Sequence, residues 1–187
     1  MMQKVFETGL PIIAALHLPD FALSRHRPMV WFEEYALTNA RVFADAGIPW
    51  IKLQDQTRTS GLASPETLTM MAALGRLIRA EFPQLGLGII IEAHDPDAAL
   101  SVAHATGADF VRLKVFVGGA MTAEGPRYGL GAAAVSHRDT LGRPDIAILA
   151  DDPARRRGNR FEPGHFPACG ARRPARRDRA DQPQIPD

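Results

Sequence analysis

The stretch Ala108-Asp-Phe-Val-Arg-Leu-Lys-Val-Phe-Val117 decides how this chain is read. Side chains alternate along an extended strand, so Val111, Leu113, Val115 and Val117 share one side while Phe110, Arg112, Lys114 and Phe116 share the other. One face is wholly apolar. The other sets two cations among aromatics, and charged groups are seldom buried without a partner or a task. Such a strand needs cover on its apolar side and polar company on the other.

Four further stretches repeat the arrangement. Ile12, Ala14, Leu16 and Leu18 oppose Ala15 and His17; Ile51 and Leu53 oppose Trp50, Lys52 and Gln54. Ile89, Ile91 and Ala93 oppose Ile90, Glu92 and His94, and Ile146, Ile148 and Ala150 oppose Ala147, Leu149 and Asp151. The apolar runs predict strands over 11–18, 48–53, 87–92, 108–117 and 145–151. Between them, helices are expected over 29–46, 64–82, 95–107 and 132–141. Gly47 closes the first helix, Ser64 and Pro65 open the second as N-cap and first residue, and Asp95-Pro96 open the third. Gly118-Gly119 begins a longer loop; its glycines, with Gly125, serve a turn better than an anion cradle, because no phosphate-loop spacing is present. Near-continuous apolar strands alternating with helices imply an α/β fold with a parallel sheet under helical cover.

If helices take the apolar face, the polar set faces the inside of a barrel. His17, Lys52, Gln54, Glu92, His94, Arg112, Lys114 and Asp151 then gather at the carboxyl ends of the strands, where barrel enzymes place their chemistry. Other readings stand beside this one. Glu92 with Arg112 or Lys114 makes a structural ion network, and His17 and His94 make hydrogen-bonded core histidines. Lys52 or Lys114 is a desolvated amine suited to a Schiff base, although a nearby Glu92 would keep it charged. His17, Glu92, His94 and Asp151 are metal-ligand types without a local ligand motif, so no metal is expected, and no cofactor is indicated.

Charge divides the 187 residues into two parts. Residues 1–151 carry 13 Lys+Arg against 16 Asp+Glu, whereas 152–187 carry nine Arg, no Lys and five acids. The second part also lacks Leu, Val, Met, Trp and Tyr, so it cannot bury enough apolar area to offset its ordering entropy, and a disordered tail is expected there. Arg155-Arg156-Arg157 and Arg172-Arg173 would attract nucleic acid by charge, but no aromatic interleaves with them and no nucleic-acid partner is expected. The lone Cys169 cannot form an intramolecular disulfide and fits a reducing compartment. The apolar stretch Leu10–Leu18 is broken by Pro11 and His17, too short for an export signal, and no run is long enough to span a bilayer; a cytoplasmic protein is expected.

Thr106-Gly-Ala-Asp-Phe-Val-Arg-Leu-Lys-Val115, continuing through Gly118 to Thr122 and Gly125, resembles the strand-four motif of the BtpA/SgcQ family, Thr-Gly-Ala-Asp-Phe-Ile-Arg-Val-Asn-Val followed by a Gly-rich loop. His17-Leu18-Pro19 is similar to the family's first strand and Ile148-Leu-Ala-Asp151 to its fifth, so the likeness covers roughly residues 11 to 151. Departures are Lys114 for the family's Asn, Ala123-Glu124 for Asp-Gln, His94 for Asn, and Gln54-Asp55-Gln56 for Glu-Asn. The resemblance implies a (β/α)8 barrel of the ribulose-phosphate-binding type, here a partial one of about five βα units. On such a fold the polar strand faces point to an enzyme acting on a small, phosphorylated or related metabolite, with Glu92, His94, Lys114 and Asp151 expected in catalysis and His17, Lys52, Gln54 and Arg112 in binding, Glu92 or His94 as the acid/base and Lys114 or Arg112 as the anion stabiliser. The alternative the resemblance carries is a non-catalytic biogenesis factor for a membrane complex such as photosystem I. The family continues past strand five with three more βα units, where this chain turns to Arg/Pro-rich text; a change of reading frame near codon 152 is the expectation, tested by translating the other frames. An open barrel of this kind is expected to be a non-functional remnant or to pair with another copy that covers its sheet edges.

Overall fold

A computed structural model describes residues 12–57, 61–122, 125–151 and 160–161. Strand β1 (Ile13–His17) leads to helix α1 (Met29–Asp45), β2 (Trp50–Gln54), α2 (Pro65–Glu81), β3 (Gly86–Ile90), α3 (Pro96–Thr106) and β4 (Phe110–Leu113). A hairpin follows, β5 (Gly119–Thr122) and β6 (Gly125–Tyr128), then α4 (Gly131–Thr140), β7 (Ala147–Ala150) and the two-residue β8 (Arg160–Phe161). Local chemistry sets the boundaries. Ser64 Oγ accepts the Thr67 N–H at 3.1 Å and Asp95 Oδ1 accepts the Ala98 N–H at 3.0 Å, each with proline at the next position. Gly107 ends α3 in the left-handed conformation, φ 68°, which costs a residue without Cβ nothing.

The main sheet has the order β1-β2-β3-β4-β7 with every pair parallel. Strand order follows chain order without the reversal of a doubly wound sheet, so each βα unit adds to the same side, as in a (β/α) barrel. The helices keep that order too, α1 against α2, α2 against α3 and α3 against α4. They cover one face of the sheet. Leu16, Ile51, Leu53, Leu87, Ile89, Val111 and Leu113 are buried against Phe32 and Ala36 of α1, Met71, Leu74 and Ile78 of α2, and Leu100 and Ala103 of α3. The expected apolar face is therefore the helix-covered one, and the molecule is an α/β fold built as a partial barrel.

Several boundaries differ from expectation. Strand pairing at β4 stops at Leu113 rather than Val117, because the chain turns into the hairpin; Val115 stays buried while Val117 is 67% exposed. Glu92, Lys114 and Asp151 accordingly lie just past the ends of β3, β4 and β7. The expected loop after Gly118 is the β5–β6 hairpin, paired from Gly119↔Tyr128 to Thr122↔Gly125. Its sequence hides it: Gly-Ala-Met-Thr and Gly-Pro-Arg-Tyr contain no apolar alternation, and Pro126 is tolerated because β6 is an edge strand. Within the segment expected to be disordered, Arg160–Phe161 adds to the other edge of β5, which offers open backbone groups. The rest of 152–187 lies outside the described residues, as do Cys169, the arginine clusters and the domain boundary placed at 151/152. Among the described residues, no helix is long and apolar enough to cross a membrane.

Candidate functional site

The concave face is built in layers. Register aligns Trp50 with Gly86, and Gly88 with Phe110, so bare backbone lies beside two aromatic rings. A Cβ on Gly86 would sit 1.9 Å from the Trp50 ring, and one on Gly88 would sit 2.1 Å from the Phe110 ring. The rings, with centroids 6.1 Å apart, thus occupy the space of the absent side chains and floor the trough. Above this floor, toward the carboxyl ends, the face turns polar.

Glu92 is the hub. Gln54 Nε2 donates to its Oε1 at 2.8 Å, and Lys114 Nζ donates to its Oε2. Its backbone is held as well: its N–H donates to Asp55 Oδ1 at 2.6 Å, and Arg127 Nη1 reaches its carbonyl oxygen at 3.4 Å. One strand along, Arg112 Nε and Nη2 clasp Asp151 Oδ1 and Oδ2 at 2.8 and 2.7 Å, the fork geometry that makes such pairs strong. Lys52 stands between the two clusters. It has neither a hydrogen bond nor a close ion pair among the described residues. Burial first, and then the Arg112 cation, hold its amine below the usual lysine range, against the opposite pull of Asp151 and Glu92.

The two histidines lie at the margins. His17 Nδ1 accepts from Gln56 Nε2 at 2.7 Å. His94 Nε2 faces the Tyr128 carbonyl oxygen at 2.7 Å, so that nitrogen carries the proton and donates. Burial lowers the His94 pKa from the ordinary imidazole value, outweighing the bond to Tyr128. Lys52, Gln54, Glu92, Arg112, Lys114 and Asp151 therefore converge, whereas His17 and His94 bond to flanking groups instead. Among the described residues no three His, Cys, Asp or Glu side chains gather as a metal site would require.

Two contributors escaped the reading of the sequence. Asp55 is fully buried; its Oδ2 also accepts the Thr57 N–H at 3.2 Å, and burial pushes its carboxyl above the ordinary range despite these bonds. A carboxylate next to the strand-ending Gln54 was the available signal. Arg127, 2% exposed, had none, because its hairpin has no strand-like pattern.

The protein is thus a segment of a (β/α) barrel whose polar groups meet at the carboxyl ends of parallel strands. It belongs to the BtpA family, whose family model matches residues 8–156. It is also similar to an uncharacterised mitochondrial protein of Caenorhabditis elegans, F13E9.13, with 28% identity over 161 residues, covering 81% of this chain. The chain spans 58% of that relative's length. No solved structure matches it significantly.

Proposed function

We propose that the rim cluster binds a small anionic metabolite, phosphorylated or carboxylated, and performs acid/base chemistry on it. Glu92 or His94 exchanges the proton, while Lys114 or Arg112 stabilises developing negative charge. One observation carries the reading: among the described residues of this face three cations, Lys52, Arg112 and Lys114, stand with two carboxylates, Glu92 and Asp151, leaving positive charge for a ligand. The trough's aromatic floor supplies apolar contact for a carbon skeleton.

The test titrates the full chain with inorganic phosphate, sugar phosphates and short keto or hydroxy acids, following the unfolding temperature. A ligand at about 100 times its Kd should add about 2.7 kcal/mol of stability. Stabilisation by an anion but not by its neutral analogue, with turnover lost in Glu92→Gln, is the expected result. Indifference to every anion would overturn the reading. Retained biological activity in Glu92→Gln would point instead to a stabilising role for a larger complex.

A further inference from the structure

We infer that Lys52 is a nucleophilic amine that joins a carbonyl group of the bound metabolite as an imine, making the substrate a small aldehyde or ketone that carries an anionic group. The inference rests on the anion-binding reading of the same rim.

Three structural observations carry it. Both acids on the face are already engaged, Glu92 by Gln54 and Lys114 and Asp151 by the two-point clasp of Arg112, so neither is bonded to the Lys52 amine. Register places Ala15 and Gly88 on either side of Lys52, and the Phe110 ring lies over Gly88, so one flank is short and the other aromatic and neither offers the amine a polar partner. The Trp50 and Phe110 rings fill the layer below it, which keeps the base of the trough apolar. Burial and a neighbouring cation are the two means by which a lysine becomes a nucleophile near neutral pH, and both act here. The paired Lys114 is the contrasting case: its amine is held by a carboxylate.

The chemistry balances within the named groups. The neutral amine attacks the carbonyl carbon, a C–N bond forms, and the oxygen takes a proton to give a carbinolamine. The hydroxyl then leaves as water with the proton the ammonium first gave up, so the product is the protonated imine C=N–H+, which restores the positive charge the anion site relies on, with no change of oxidation state. Glu92 and Asp151 are the carboxylates within electrostatic reach of the amine that can relay these protons, with Arg112 beside them to hold the anionic group.

The chain has three lysines, Lys4, Lys52 and Lys114, so labelling can be read residue by residue. The full chain is incubated at neutral pH with glyoxylate or glycolaldehyde phosphate, reduced with cyanoborohydride and mapped by peptide mass. Lys52 should be labelled at least about ten-fold faster than Lys114, and the preference should vanish in guanidinium chloride. Lys52→Arg should keep probe-induced stabilisation and lose the adduct. Equal labelling of Lys52 and Lys114, or a preference that survives denaturant, overturns the imine. Stabilisation by the probes without an adduct removes the imine and leaves the anion site; absence of both removes the two together.

Discussion

Arg112 and Asp151 tie neighbouring strands together at the rim: the guanidinium of β4 meets both oxygens of the carboxylate that follows β7, at 2.8 and 2.7 Å. Only about a quarter or less of each side chain is exposed, so water competes weakly for either partner. Asp151→Asn leaves a half-buried cation without its counter-charge. It should lower stability by roughly 1–3 kcal/mol. A shift in the denaturant midpoint at unchanged slope checks it; no shift would show that the pair stabilises nothing.

Asp55 makes the pH dependence of folding partly its own. Its folded-state pKa lies above the unfolded one, because burial disfavours the carboxylate. The folded form therefore holds its proton longer, and stability falls as pH rises from the ordinary carboxylate range, near 4, through the raised value. Asp55→Asn removes that slope but also replaces one of the two oxygens that accept the Glu92 and Thr57 N–H groups by an NH2 donor, a cost of roughly 1–3 kcal/mol. The penalty of the variant should be largest at low pH and shrink toward neutrality. A penalty that grows with pH instead would reject the assignment.

Gly88 is required by Phe110. A Cβ there would lie 2.1 Å from the ring of a residue only 1% exposed, and such a ring has nowhere to go. Gly88→Ala should cost roughly 1–3 kcal/mol, and pairing it with Phe110→Leu should recover part of the loss. Strict additivity of the two changes would show that they do not share the space.

His94 should titrate below the usual imidazole value near 6.5, because burial disfavours the imidazolium. A lowered folded pKa means that the unfolded chain takes up the proton first. Acidification through the ordinary histidine range therefore drains stability, and His94→Gln should abolish that part of the slope. An NMR titration reads the imidazole directly; a value at or above the ordinary one would contradict the geometry.

Much of this was legible from residue order alone. Strict alternation in stretches such as Ile51-Lys-Leu-Gln54 and Val111-Arg-Leu-Lys114 assigned each side chain to a face, because a strand permits only two. Ser64, Asp95 and Gly107 marked helix ends because the terminal backbone groups need those partners. The hairpin was not legible, since its stability comes from cross-strand pairing and its residues carry no local pattern.

Which polar residues share a face is thus settled by the periodicity of the chain itself. Which of them touch was decided by the tertiary structure, because register and strand ends place Glu92 on Lys114, Arg112 on Asp151, and Lys52 on neither. Periodicity is a property of one strand, whereas a charge pair depends on how two strands are offset. Only the folded sheet supplies that offset.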